Sequence, residues 1–213
     1  MKAIGVLRFP GTNCDRDVLA WIEAKGLKSE ILWHLDHFDI GNFDSLILPG
    51  GFSYGDYLRS GALAARSPAM KSVRLFAEKG GPVLGICNGF QILCEAGLLP
   101  GALVKNESRR FIDDWAVLEV VTPSKRFGSK LTSQQEIRLP IAHGDGRFYS
   151  TSEDLKKIAD QEQVWLRYRE NPNGSLQNIA GVMNENANVA GLMPHPERAV
   201  FDWMGGQDGW NFL

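Results

Sequence analysis

The sequence predicts an α/β fold: one domain over residues 1–213, built on an open, mostly parallel sheet flanked by helices, with a strand-rich second half. Three observations carry this. Up to Leu99, short apolar runs alternate with helix-length segments, the pattern of βαβ units. Two of those runs end on glycine-bearing turns, Pro49-Gly50-Gly51 and Gly85-Ile86-Cys87-Asn88-Gly89. After Leu99 the pattern changes to successive strand candidates with few helices between them.

Each element follows from local chemistry. Ala3 to Phe9 reads as a strand. Thr12 or Asn13 can cap a helix that runs to about Lys25, where Gly26 stops it. Glu30 to Trp33 and Asp44 to Leu48 are strand-like. Pro68 suits the first turn of a helix through Lys79, closed by Gly80-Gly81. Val83 to Ile86 is an apolar strand that leads into a helix from Phe90 to Glu95. Beyond it, Trp115 to Thr122, Arg138 to Ala142, Val164 to Tyr168, Ile179 to Met183 and Val189 to Met193 are the strand candidates. Ser150 to Asp160 is a short exposed helix or loop. No internal repeat, low-complexity tract or linker divides the chain.

The chemistry concentrates at Gly85-Ile86-Cys87-Asn88-Gly89. A strand that turns sharply into a helix presents its turn residue as an exposed nucleophile, and flanking glycines make room for the strained turn. The Cys87 thiol then sits at a helix N-terminus, where free N–H groups and the positive dipole end favour thiolate. The N–H of Asn88 points to where an oxyanion would form. The bland alternative is a buried structural cysteine in a glycine-bounded strand.

A cysteine nucleophile needs a base, and the base an orienter. The chain has four histidines, His34, His37, His143 and His195. His195 follows an apolar run in Met193-Pro194-His195-Pro196-Glu197. Residues before proline favour extended backbone, where side chains two apart share a side. Glu197 can therefore hold the His195 imidazole. Cys87, His195 and Glu197 form a candidate nucleophile, base and orienter. Singly, His195 could be a turn histidine and Glu197 a solvated carboxylate.

These segments, with Leu48-Pro49-Gly50-Gly51, resemble the class I (triad) glutamine amidotransferase family, whose fold is flavodoxin-like. The similarity covers nearly the whole chain. Arg8-Phe9-Pro10-Gly11-Thr12-Asn13-Cys14-Asp15, Gly50-Gly51-Phe52-Ser53-Tyr54-Gly55-Asp56 and His143-Gly144-Asp145-Gly146-Arg147-Phe148 resemble one branch, small glutaminase subunits of purine biosynthesis. One departure is visible: Asp145 stands where that branch carries glutamate. The resemblance implies glutamine as substrate and an oxyanion hole from the N–H groups of Asn88 and Gly51, or of Phe52. Gln91, Asn106, Ser108 and Phe111 match positions that bind glutamine, although the last three also read as an ordinary loop turn. It implies no cofactor on this chain, because no ATP-binding motif appears. ATP and magnesium would be used by a large synthetase subunit, joined in small-subunit systems by a small bridging protein.

Other features point elsewhere or nowhere. The formal charge is −2, with no basic surplus to suggest nucleic acid. No apolar run reaches the ~18 residues of a membrane span. The N-terminal segment is charged too early for a signal peptide. Three cysteines, Cys14, Cys87 and Cys94, without paired spacing suit a reducing compartment, the cytoplasm. His34-Leu35-Asp36-His37 has metal-like spacing but lacks further ligands, so no metal site is expected. Cys94 reads as core packing, and Cys14 as a loop thiol without an elbow. The rival functions are a free-standing cysteine hydrolase on this fold, a non-catalytic scaffold subunit, and a glutaminase that serves another synthetase.

Overall fold

The computed structural model describes residues 2–213. Its strands are β1 (Ala3–Arg8), β2 (Ser29–Trp33), β3 (Phe43–Leu48), β4 (Val83–Ile86), β5 (Ala102–Val104), β6 (Ile112–Val120), β7 (Glu136–His143), β8 (Arg147–Tyr149), β9 (Val164–Tyr168), β10 (Ile179–Met183) and β11 (Val189–Leu192). The helices are α1 (Asp15–Ala24), α2 (Ala69–Glu78), α3 (Asn88–Glu95) and α4 (Ser152–Asp160).

Nine strands form one sheet in the order β2-β1-β3-β4-β11-β10-β9-β6-β7, and β5 pairs with β8 in a small second sheet. From β2 to β11 every pairing is parallel. From β11 to β7 every pairing is antiparallel. The change of pattern expected after Leu99 corresponds to the antiparallel strands, except that β11, late in the chain, returns to pair in parallel with β4. β4, β10 and β11 are buried at every position. Successive side chains of a strand point to opposite faces, so both faces of the sheet's centre are covered. β7 alternates exposed or half-buried with buried residues and carries Pro140. It lies at the sheet edge, where proline is tolerated.

Three local expectations change. α1 is capped by Cys14, with no side-chain cap, rather than by Thr12 or Asn13. The Thr12 hydroxyl instead accepts from the Phe9 N–H at 3.0 Å, and Asn13 Oδ1 accepts from the Cys14 thiol at 3.2 Å. The elbow helix starts at Asn88, immediately after the nucleophile candidate, not at Phe90. β5 and β8 fall in stretches the pattern left unassigned; at three residues each they carry too few side chains to show a period. Ser150 to Asp160 does contain a helix, α4, capped by Thr151, which accepts from the Asp154 N–H.

The C-terminal ends of β1, β3, β4 and β11 lie side by side in the sheet. They lead directly to Cys14, Gly51, Cys87 and His195 respectively. That edge is where open α/β sheets gather their ligand-binding loops.

Candidate active site

Cys87 occupies φ 50°, ψ −105°, between the end of β4 and the start of α3. A non-glycine residue pays for positive φ, and such strain is concentrated at sites whose surroundings over-determine it. Here the surroundings are explicit. The Cys87 N–H donates to Leu192 O at 2.8 Å, and its carbonyl accepts from Gln91 N–H at 3.1 Å. A Cβ on Gly89 would lie 1.9 Å from Leu48 O, so the turn closes against the β3 backbone only with glycine. We expect Gly89→Ala to cost about 3 kcal/mol or more and to abolish the strained geometry of the Cys87 turn. A lowered urea midpoint checks the first effect and slowed thiol alkylation the second.

His195 and Glu197 stand beside this turn. Parallel pairing of β11 with β4, in register at Leu192 and Ile86, brings them there. The His195 N–H donates to Pro140 O at 2.8 Å and fixes the segment from the other side. His195 Nδ1 and Glu197 Oε1 are 2.6 Å apart, with both residues 1% exposed. Burial alone would push the imidazole's pKa down. The Glu197 carboxylate and the neighbouring Cys87 and Cys14 sulfurs outweigh it, and the pKa stands well above the ordinary value. Nδ1 is committed to Glu197. Nε2 has no oxygen or nitrogen partner among the described residues. It is the nitrogen left to exchange a proton with a thiol or a leaving group.

Cys14 shares this imidazole, a juxtaposition that the sequence does not disclose. Its sulfur accepts from Arg198 Nη2 at 3.2 Å, and Arg198 is held in turn by Asp17 at 3.0 Å. Ligand atoms of Cys14, His195 and Glu197 lie within 4.8 Å of one another. Burial raises the Cys14 thiol pKa despite the nearby imidazolium. Its backbone is the relaxed N-cap of α1, at φ −95°. Of the two thiols, only Cys87 has the elbow.

A cavity of about 240 Å³ opens over Cys87, lined by Gly51, Asp56, Gln91, Phe111, His143 and Asp145 among others. Gly51 sits at φ 145°, and a Cβ there would lie 2.8 Å from the Asn13 nitrogen, the Gly11 oxygen and the Thr12 Cα. The Phe52 N–H is donated to Gly11 O at 3.0 Å, so of the two oxyanion candidates on this loop Gly51 is the freer. Opposite it, Asn88 begins α3, where N–H groups have no partner within the helix. The Asn88 side chain is wholly engaged: Oδ1 accepts from the Ser53 N–H, and Nδ2 donates to Gln91 Oε1 at 2.8 Å.

The expected glutamine-binding residues separate. Gln91 and Phe111 line the cavity, although Gln91 Nε2 already donates to Asp145 O at 2.7 Å. Asn106 does not line it. It is buried behind the wall, donates to Arg110 O and His143 O, and accepts from His143 Nδ1 and the Gly146 N–H. Ser108 is exposed and caps its own turn by accepting from the Arg110 N–H. Burial and the His195 charge push His143 down to about 4, so its ring is neutral. His34 is buried, with Nδ1 2.7 Å from the Tyr54 hydroxyl, and belongs to packing rather than to a metal pair. A wider groove of about 870 Å³, lined by Trp115, Glu136, Arg169 and Glu170, holds no nucleophile and base.

A family model for the CobB/CobQ-like glutamine amidotransferase domain matches residues 2–208. The chain is 51% identical over 207 residues to phosphoribosylformylglycinamidine synthase subunit PurQ of Prochlorococcus marinus subsp. pastoris, covering 97% of this chain and 93% of that one. It is 49% identical to the subunit of the same name from Thermus thermophilus, with coverage of 98% and 94%. Among solved structures, PurLQS from Thermotoga maritima superposes with a TM-score of 0.90 at 45% identity, over 99% of this chain and 95% of that one. A glutamine amidotransferase from Thermotoga maritima shares the fold alone, with a TM-score of 0.63 at 18% identity over 92% and 76% of the two chains.

Proposed function

Because the chain belongs to the CobB/CobQ-like glutamine amidotransferase family, we propose that it is the glutaminase subunit of a phosphoribosylformylglycinamidine synthase. It hydrolyses glutamine and supplies the nitrogen for a C–N bond made elsewhere in the complex. The observation that carries this reading is the strained Cys87 turn set against a buried His195–Glu197 pair, at the floor of a cavity the size of a small amino acid.

The mechanism follows from the placements. The Cys87 thiolate attacks the carboxamide carbon of glutamine. The N–H groups of Asn88 and Gly51 receive the developing oxyanion, each worth about 3 kcal/mol by the scale of hydrolase oxyanion donors. The His195 imidazolium gives its Nε2 proton to the departing ammonia and leaves a glutamyl thioester on Cys87. The neutral imidazole then takes a proton from water, which attacks the thioester and releases glutamate. Glu197 keeps Nδ1 protonated through the cycle and orients the ring. Phe111 walls the cavity, and Gln91 braces Asp145 and Asn88 around the substrate. Asn106, with Ser108 closing the turn beside it, shapes the loop from behind.

The ammonia passes to a large ATP- and magnesium-dependent synthetase subunit, docked with the help of a small bridging subunit. There it converts formylglycinamide ribonucleotide to the amidine. A sequestered passage keeps ammonia unprotonated and nucleophilic. Among the described residues no helix is long and apolar enough to cross a membrane, and the three free cysteines suit the reducing cytoplasm.

The test is glutamate release from glutamine, by the purified chain alone and by the reconstituted complex with ATP and formylglycinamide ribonucleotide. The expected result is weak turnover alone and a sharp rise in the complex. No stimulation by these partners would move the subunit to a different synthetase or to independent hydrolysis.

A further inference from the structure

Two acidic side chains of the cavity are given no contact with substrate above. Asp56 and Asp145 line the same space as Cys87, with Lys105 at its exposed rim. The Asp145 side chain accepts from Ser60 Oγ at 2.9 Å, and its carbonyl accepts from Gln91. Asp56 lies on a left-handed stretch of the loop that follows Gly51, at φ 55°, with Oδ1 3.5 Å from Asn88 Nδ2. Among the described residues neither carboxylate has a basic partner within ion-pair distance. Burial and the charge of Asp145 push Asp56 up to about 6, the mark of carboxylates held together without a counter-charge. His143, 2% exposed, lines the same cavity, and its Nε2 also lacks a partner there.

The paired carboxylates of these walls suit a cation. Glutamine supplies one. With its carboxamide at Cys87, the α-ammonium and α-carboxylate occupy the far end of the cavity. We propose that Asp56 and Asp145 together bind the α-ammonium of glutamine, with Lys105 facing its α-carboxylate, so that the site selects the free amino acid over γ-carboxamides that lack the ammonium. This rests on the glutaminase reading and adds the residues that set its specificity. Asp56 and Asp145 hold the unreacting end of the substrate, so their contacts are the same before and during attack. Uniform binding of that kind acts on KM rather than kcat.

The reconstituted complex is assayed with L-glutamine and with 5-amino-5-oxopentanoate, which is glutamine without its α-amino group. For wild type, kcat/KM favours glutamine by about 10- to 100-fold or more, the worth of a charge-assisted hydrogen bond. In Asp56→Asn, KM for glutamine rises by about that factor while kcat is little changed, and kcat/KM for the des-amino substrate stays at the wild-type value. Asp145→Asn behaves alike, and Asp56→Glu recovers part of the lost affinity. Retained activity on the des-amino substrate certifies a folded site. An unchanged KM for glutamine, or an equal loss on both substrates, would overturn the ammonium assignment and leave the glutaminase intact. Failure of the wild-type complex to hydrolyse glutamine at all would overturn both.

Discussion

Replacing Cys87 with alanine abolishes glutamate release from glutamine, by at least about 10⁴-fold, the scale on which single triad members matter in hydrolases of this logic. The expectation is specific because a second thiol competes for the role. Cys14 also lies within 4.8 Å of the His195 imidazole and as deep in the structure. Burial leaves its thiol raised above the ordinary value, and a relaxed helix cap aims it at Arg198 and Asn13. Cys87 instead occupies the strained turn beneath the cavity. Cys14→Ala should therefore still accumulate the glutamyl thioester, and Cys87→Ala should not. Rapid acid quenching followed by peptide mass spectrometry locates the adduct. An adduct on Cys14 would reverse the assignment.

Glu197→Gln should lower kcat by about 10²- to 10⁴-fold, by analogy with the loss of the carboxylate in a serine triad. The amide keeps the volume and can still meet Nδ1, but it removes the charge that offsets burial. The imidazole pKa then falls from well above its ordinary value toward and below it, as burial dictates. The limb of the pH–rate profile that reports loss of the imidazolium moves to lower pH in the variant. Stability shifts in the same sense. A histidine whose folded pKa is raised contributes stability that is full below its unfolded value near 6.5 and is lost as pH rises through the folded pKa. The variant's deficit relative to wild type should therefore be greatest in mild acid and shrink as pH rises. Coincident pH–rate profiles for the two proteins would mean that Glu197 only fills space.

The parts of this molecule that were legible in the sequence are those written in local pattern. Val164 to Tyr168 and Ile179 to Met183 are apolar runs bounded by polar turns, and both strands appear with those limits. The pairing of His195 with Glu197 was also legible, but not its geometry. The two prolines predict an extended segment, whereas Pro196–Arg198 forms a 3-10 turn closed by the Arg198 N–H on His195 O at 3.2 Å, and that turn brings the two side chains together. The cap of α1 was not legible. Thr12 and Asn13 are better caps than Cys14 on intrinsic chemistry, but tertiary bonds claim both side chains. Nor could any local signal show that β11 lies beside β4, or that Cys14 meets His195. Both depend on the order of strands in the sheet, which is a property of long-range closure. Asn106 shows the limit of motif reading. Its position was anticipated, but its four hydrogen bonds hold the loop and His143 from behind the cavity wall.

The rung between β4 and β11 has a consequence for biosynthesis. The nucleophile turn belongs to the half of the chain that leaves the ribosome first, and the base to the half that leaves last. The parallel ladder of β11 on β4 ties them in register, and its last rung runs from Cys87 N–H to Leu192 O. Until β11 docks, the thiol has neither the imidazolium nor the second wall of its turn. A chain that ends before β11 therefore lacks the base and its orienter, which follow Leu192. Assembly of the triad and completion of the sheet are thus one event, and partner docking acts on a site that already stands.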